Sequence, residues 1–220
     1  MVSFKQQMKT SSYKMLLSKL PSPSFIVHKQ IFTSNCRKVA EEANRVGVSI
    51  RPHIKTHKTL EGILIQLQSA KEVGAKVTGF VASTINEVKL FARAVDEFSK
   101  LNLSNRSTDL GECCNVIYGV PIAQSRLDVL NRIRECNPSL DIHIIIDHEK
   151  QVQFVSNFVT ATRAKPFSVF VKVDTGYHRA GVSCDQRGVK VAQEVLQSTA
   201  VKLRGLYSHW LVRNCLNVFE

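Results

Sequence analysis

Short apolar runs alternate with amphipathic runs along almost the whole chain, and this alternation limits the folds open to it. The apolar runs have the length of strands. In the runs between them, apolar residues recur every three or four positions, the spacing of one helix face. Residues 24–28, after Pro21 and Pro23, read as a strand. A helix follows with Phe32, Cys36, Val39, Ala40 and Ala43 on one face. Residues 46–50 read as the next strand, and Leu60, Ile63, Leu64 and Leu67 mark the next helix. Residues 77–82, 115–120, 141–146, 168–173 and 201–208 are further strands. Residues 84–95 and 122–133 are helices between them, as are a run through Val152, Val155 and Val159 and one through Val189, Ala192, Val195 and Leu196. Asp147 is placed to cap the helix through Val152. The polar stretch 99–112 reads as a surface loop or insertion.

Strands that are apolar on both faces need both faces covered. That predicts an α/β fold, a parallel sheet with crossover helices. An open doubly wound sheet and a (β/α)8 barrel both satisfy the pattern. No GxGxxG or GxxxxGK[ST] follows a strand, which weakens the nucleotide-binding versions. About six strands could belong to a barrel, short of the eight that close one. The 220 residues allow one large domain or two small ones.

Charge and cysteine content narrow the function classes. The net charge is +12, and eleven lysines and arginines stand against two acidic residues before residue 61. A basic chain raises the question of nucleic acid. Here the excess is scattered, and no cluster interleaves basic with aromatic residues. A solvated basic face, or an attraction for anionic small molecules, is the reading. No apolar run has the length of a membrane span. The six cysteines form no CxxC pair, so reduced thiols and a cytoplasmic location are expected. Residues 1–20 lack arginine and a clean apolar core and read as a frayed leader.

Three strand ends carry chemistry. Arg51-Pro52-His53-Ile54-Lys55-Thr56-His57-Lys58 closes one strand and opens a helix. A βα unit presents its reactive groups at that point. A lone lysine after a strand is ordinarily a solvated residue. Cationic neighbours disfavour its ammonium form, and an amine so placed can attack an aldehyde and carry a Schiff base. Lys172-Val173-Asp174-Thr175-Gly176-Tyr177-His178-Arg179-Ala180-Gly181 follows another strand. Arg179 could offer a fixed cationic donor and Tyr177 a stacking face. The same segment also reads as a capped loop with a surface arginine. Gly205-Leu206-Tyr207-Ser208-His209 is the third.

These segments, with Pro21 to Val27, Ala82 to Glu87 and Tyr118 to Ile122, resemble the D-serine dehydratase and D-threonine aldolase family, relatives of the amino-terminal barrel of alanine racemase. The resemblance covers roughly nine-tenths of the chain. It implies a partial (β/α)8 TIM barrel of the alanine racemase N-terminal type over residues 21–209, a leader over 1–20 and a divergent tail over 210–220. It implies pyridoxal phosphate as cofactor, with Lys55 as the Schiff-base residue. Arg179 matches a position near the cofactor's phenolic oxygen, His209 a histidine beside its ring, and Tyr177 a weaker neighbour. The implied activity converts D-serine to pyruvate and ammonia. D-threonine aldolase and a non-catalytic pyridoxal-phosphate-binding homeostasis protein are the alternatives. Family members of full length are implied to be homodimers. They use zinc bound in a carboxyl-terminal β domain, and no residue of this chain matches those ligands. That domain and the last barrel strands are expected to be missing here.

Overall fold

The computed structural model describes residues 16–102 and 114–209. Most of the leader, residues 103–113 of the polar stretch and the whole tail lie outside them. The element order is α1 (Lys29–Arg45), α2 (Leu60–Glu72), β1 (Phe80–Ala82), α3 (Ile85–Asn102), β2 (Asn115–Pro121), α4 (Leu127–Cys136), β3 (Asp141–Ile146), α5 (Glu149–Thr162), β4 (Phe167–Lys172), α6 (Gln186–Gln197) and β5 (Val201–Tyr207). The five strands form one parallel sheet in sequence order. Single bridges from Ile50 to Val77 and from His53 to Val81 add the lysine segment as a further stave ahead of β1. Six staves in sequence order, with a helix before each strand, are consecutive members of a βα barrel.

Two-sided burial explains the continuous apolar strands. In β3, Ile142, Ile144 and Ile146 face the helices, in one core with Val116, Val169, Val171, Leu130 and Val155. Ile145 points the other way and packs with Val81, Ile117, Phe170 and Tyr207 inside the curve of the sheet. A strand buried on both faces has few polar alternate positions, here His143 alone among the buried residues of β3, so it reads as an apolar run rather than as alternation. β5 carries a register shift, in which Val169 pairs with Leu203 but Phe170 with Gly205. The extra residue reverses the alternation, and Tyr207 therefore faces inward beside Lys172.

Several elements differ from the sequence expectation. Residues 24–28 form no strand, and Phe25 and Ile26 are exposed. Apolar character alone does not supply a neighbouring strand. α1 buries Ala40 and Ala43 but leaves Val39 exposed, and α6 buries Val191 and Val195 rather than Val189 and Leu196. The cap of α5 is His148, not Asp147. Its Nδ1 accepts from Lys150 N, while Gln151 reaches back to the His148 N–H in a capping box. α3 runs to Asn102, so the polar stretch begins as helix.

Beneath Phe170 the interior is polar. The Arg51 guanidinium bonds the Asn115 side chain and lies 5.9 Å from the Phe170 ring centre. The His143 ring packs edge-on to Phe170 with centroids 5.5 Å apart. Its Nδ1 is buried and unpartnered, 3.6 Å from Asp141 Oδ2 and beyond a hydrogen bond. Burial above all pushes the His143 pKa down to about 4, with Arg51 and Arg204 adding to the fall and Asp141 opposing it. The folded chain therefore holds this ring neutral. Its contribution to stability is complete above the ordinary value of 6.5 and is lost as the pH falls from 6.5 toward about 4. The expected slope in that window is up to about 1.4 kcal/mol per pH unit. Urea unfolding across the window measures it. A His143→Phe chain with an unchanged acid limb would contradict the assignment.

Candidate active site at the carboxyl ends of the strands

Lys55 stands where the lysine segment leaves the sheet. Ile54 is fully buried and donates its N–H to Val81 O at 3.1 Å, while Lys58 N donates back to Ile54 O at 2.9 Å. The chain turns between these bonds, and Lys55 and Thr56 are exposed on the turn. A hydrophobic anchor thus fixes the position of the turn, and the polar residues are left at the rim.

The two flanking histidines part company. The ring of His53 stays at the rim, with Nδ1 accepting from Lys55 N at 3.1 Å and Nε2 lying 3.2 Å from Ser83 Oγ. His57 turns away and is buried between α1 and α2. Its Nδ1 accepts from Thr59 N at 3.2 Å, its Nε2 lies 3.2 Å from Gln66 Oε1, and its ring stacks obliquely on Phe32. A Cβ on Gly62 would sit 2.2 Å from His57 Nδ1, so α2 accepts the ring only with glycine at that position. Lys58 pairs with Glu87 at 3.6 Å. Arg51 lies in the polar layer below. Of the four cationic neighbours expected around Lys55, only His53 therefore shares its rim.

The segment after β4 folds into a loop closed at its base. Asp174 N donates to Val182 O at 2.8 Å, and Val182 N to Lys172 O at 2.9 Å. Asp174 Oδ1 accepts from Gly176 N and from His178 N, at 3.1 and 3.0 Å. These bonds, led by the one from His178 N, lower the Asp174 pKa. Gly181 has φ +121 and approaches Asp174 so closely that a Cβ would meet Asp174 N at 2.6 Å. Asp147, released from capping, accepts from Gly181 N at 3.0 Å and ties the loop to the end of β3. On the other side, Thr175 Oγ1 and Ser208 Oγ are 2.6 Å apart. The loop therefore leans on the end of β5. Tyr177 meets the His209 ring edge-on at 5.5 Å, and Arg179 lies over the Tyr177 ring at 4.9 Å.

Lys55, Arg179, Tyr177 and His209, widely spaced in sequence, thus come to one mouth. Their electrostatics report the same convergence. Burial, then Arg179, Lys55 and Lys172, lower the pKa of His209. Lys172 is the residue sequence reading passed over. It is only 4% exposed, on the inward face at the end of β4. Its pKa is lowered, first by burial and then by Arg179, with Asp147 and Asp174 opposing. The signal for it was its place as the last residue of an apolar strand, at an inward position. An exposed amine, a buried lysine, an arginine and two histidines around one mouth suit an anionic ligand with an electrophilic carbonyl. The cations hold the anion and the amine meets the carbonyl. Among the described residues, no three histidine, cysteine, aspartate or glutamate side chains gather as a metal-holding group.

A parallel βα-barrel segment with an exposed lysine at its rim defines the class of protein. The chain belongs to the family described as alanine racemase, N-terminal domain, whose pattern matches residues 27–212. It is 32% identical over 209 residues to a D-serine dehydratase of Schizosaccharomyces pombe, covering 93% of this chain and 46% of that protein. It is 27% identical over 193 residues to a D-threonine aldolase of Arthrobacter sp., covering 88% of this chain and 44% of that protein. A crystal structure of D-threonine aldolase from Filomicrobium marinum superposes with a TM-score of 0.65 at 21% identity, over 86% of this chain and 44% of that one. The chain spans less than half the length of these relatives.

The convergence has a spectroscopic consequence. NMR titration of the His209 ring is expected to give a midpoint below the ordinary 6.5, and inorganic phosphate is expected to raise it by screening the neighbouring cations. A midpoint that phosphate leaves unmoved would contradict the grouping of Lys55, Lys172 and Arg179 around that ring.

Proposed function

We propose that this chain is the barrel portion of a pyridoxal-phosphate-dependent D-serine dehydratase, with Lys55 as the amine that receives the cofactor. The observation that carries the reading is that the loop bearing Tyr177 and Arg179 packs against His209 at the carboxyl ends of the strands, the level at which Lys55 leaves the sheet. The residues present fit such a group. Lys55 offers an exposed primary amine to an aldehyde, and the surrounding cations offer charge to a phosphate and a phenolate. The identity with the fission-yeast dehydratase favours dehydration of D-serine. The lower identity with the Arthrobacter enzyme keeps cleavage of D-threonine as the second reading.

When bound, pyridoxal phosphate supplies an electron sink for negative charge at the substrate α-carbon. The protein's own groups do the rest. Arg179, propped over Tyr177, holds a positive charge beside the mouth and would orient an oxygen of the cofactor. Tyr177 and His209 pack edge-on to each other and offer aromatic faces beside the mouth. Burial first, and then the neighbouring cations, lower the His209 pKa, which favours the neutral ring that can accept as well as donate a hydrogen bond. Lys55 Nζ, the exposed amine at the mouth, would be the base that takes the α-proton. Zinc and homodimer formation belong to this reading through the family resemblance alone, and no step is assigned to a metal here. Cytoplasmic residence belongs to this reading through the sequence expectation of reduced thiols.

Borohydride reduction of the chain with pyridoxal phosphate, followed by peptide mapping, tests the reading. The label is expected on Lys55 and is expected to vanish in Lys55→Gln. Label on Lys172 instead, or on no lysine, would refute it. With the label on Lys55, release of pyruvate from D-serine favours the dehydratase, and release of glycine from D-threonine favours the aldolase.

A further inference from the structure

An exposed lysine on a short turn has nothing in its own side chain to set the direction in which it projects. Two tethers set it here, and both end on the corner between β1 and α3. In the first, His53 Nδ1 accepts the N–H of Lys55, two residues ahead, at 3.1 Å. The oxygen of Asn or Asp does the same in an Asx turn. The far nitrogen, Nε2, reaches Ser83 Oγ at 3.2 Å. In the second, Lys58 pairs with the buried carboxylate of Glu87 at 3.6 Å. Glu87 Oε2 accepts from Ser83 N at 2.7 Å, and Thr84 Oγ1 accepts from Glu87 N at 3.2 Å. The turn that carries Lys55 is therefore pinned on both sides to residues 83–87.

The first tether fixes the state of the imidazole. Nδ1 accepts from the backbone, so it carries no proton, and the ring proton sits on Nε2 and donates to Ser83 Oγ. The charged groups facing the ring agree. Burial, then Lys55, favours the neutral form, with the His209 ring adding to it only when protonated, against the opposing pull of Glu87, which Lys58 already engages.

We propose that His53 is a positioning residue for Lys55: its neutral ring, oriented by Ser83, holds the backbone of the turn so that the amine projects into the mouth. The proposal rests on the reading of Lys55 as the cofactor amine. It assigns to His53 no contact with the reacting atoms. Misdirection of a reacting group by about 1 Å can cost on the order of 100-fold in rate, so a tether of this kind has a measurable effect.

Two measurements on the full chain test it. Long-range proton–nitrogen correlation on histidine-labelled protein is expected to show His53 as the Nε2–H form at pH 7.5, and Ser83→Ala is expected to mix in the other tautomer. Rates of borohydride-fixed labelling of Lys55 by pyridoxal phosphate give the second. His53→Leu, which has no acceptor, is expected to slow labelling by about 10–100-fold. His53→Asn, whose Oδ1 can accept from the same N–H, is expected to recover most of the rate. Thermal midpoints and labelling of other lysines serve as the control for folding. Should His53→Leu fail to fold, Ser83→Ala carries the comparison, with a smaller slowing expected. A protonated or Nδ1–H ring, or full-rate labelling of Lys55 without the acceptor, overturns the proposal and leaves Lys55 in its role. Absence of label on Lys55 in the unaltered chain overturns both.

Discussion

The fold of this site depends on the parallel pairing of the lysine segment with β1. The pairing is short. Ile50 N donates to Lys76 O, Thr78 N to Ile50 O, Val81 N to Pro52 O and Ile54 N to Val81 O, at 2.8 to 3.1 Å. These four bonds make a stave out of residues too few and too polar to form a regular strand. They also set the level of Lys55 against every later strand, because each of those is in parallel register with the one before it. A slip of one residue would turn buried Ile54 outward and Lys55 toward the core. Burial of Ile54 is therefore what opposes such a slip.

The mouth that results gathers like charges. Lys55, Lys172 and Arg179 share it beside two histidines whose pKa values are lowered, and the carboxylates nearby are largely committed elsewhere. Asp174 holds its own loop together, Asp147 ties that loop to β3, and Glu87 engages Lys58 and Ser83. An arrangement of uncompensated cations costs stability in the empty protein and gains it back when an anion binds. Lys172 is buried among them, and its pKa is lowered first by burial and then by Arg179. Such conflicts between stability and charge are expected at functional sites.

Much of the sheet was legible in the sequence, because burial on both faces leaves a continuous apolar run that little else produces. Strand β3 was bounded at both ends by that signal alone. The same signal misled at residues 24–28, where Phe25 and Ile26 are apolar but form no strand. Hydrophobicity reports a tendency to be covered, and pairing is decided by what lies alongside. The gathering of Lys55, Arg179, Tyr177 and His209 was foreseen from strand ends and family resemblance, since parallel strands bring their carboxyl ends to one rim. The different fates of His53 and His57 were not. They sit four residues apart in similar settings, and only Phe32 and Gly62, on two separate helices, make a pocket for one of them. The inward turn of Tyr207 was also hidden, because it depends on one extra residue in β5.

Amide hydrogen exchange at Ile54 and Val81 tests the central claim most directly. If the lysine segment is a stave of the sheet, both amides exchange only with opening of the whole sheet, at the slow rate of amides in β3. Exchange at the rate of an exposed turn would mean that Lys55 is not held at the common rim, and the account of the site would fail with it.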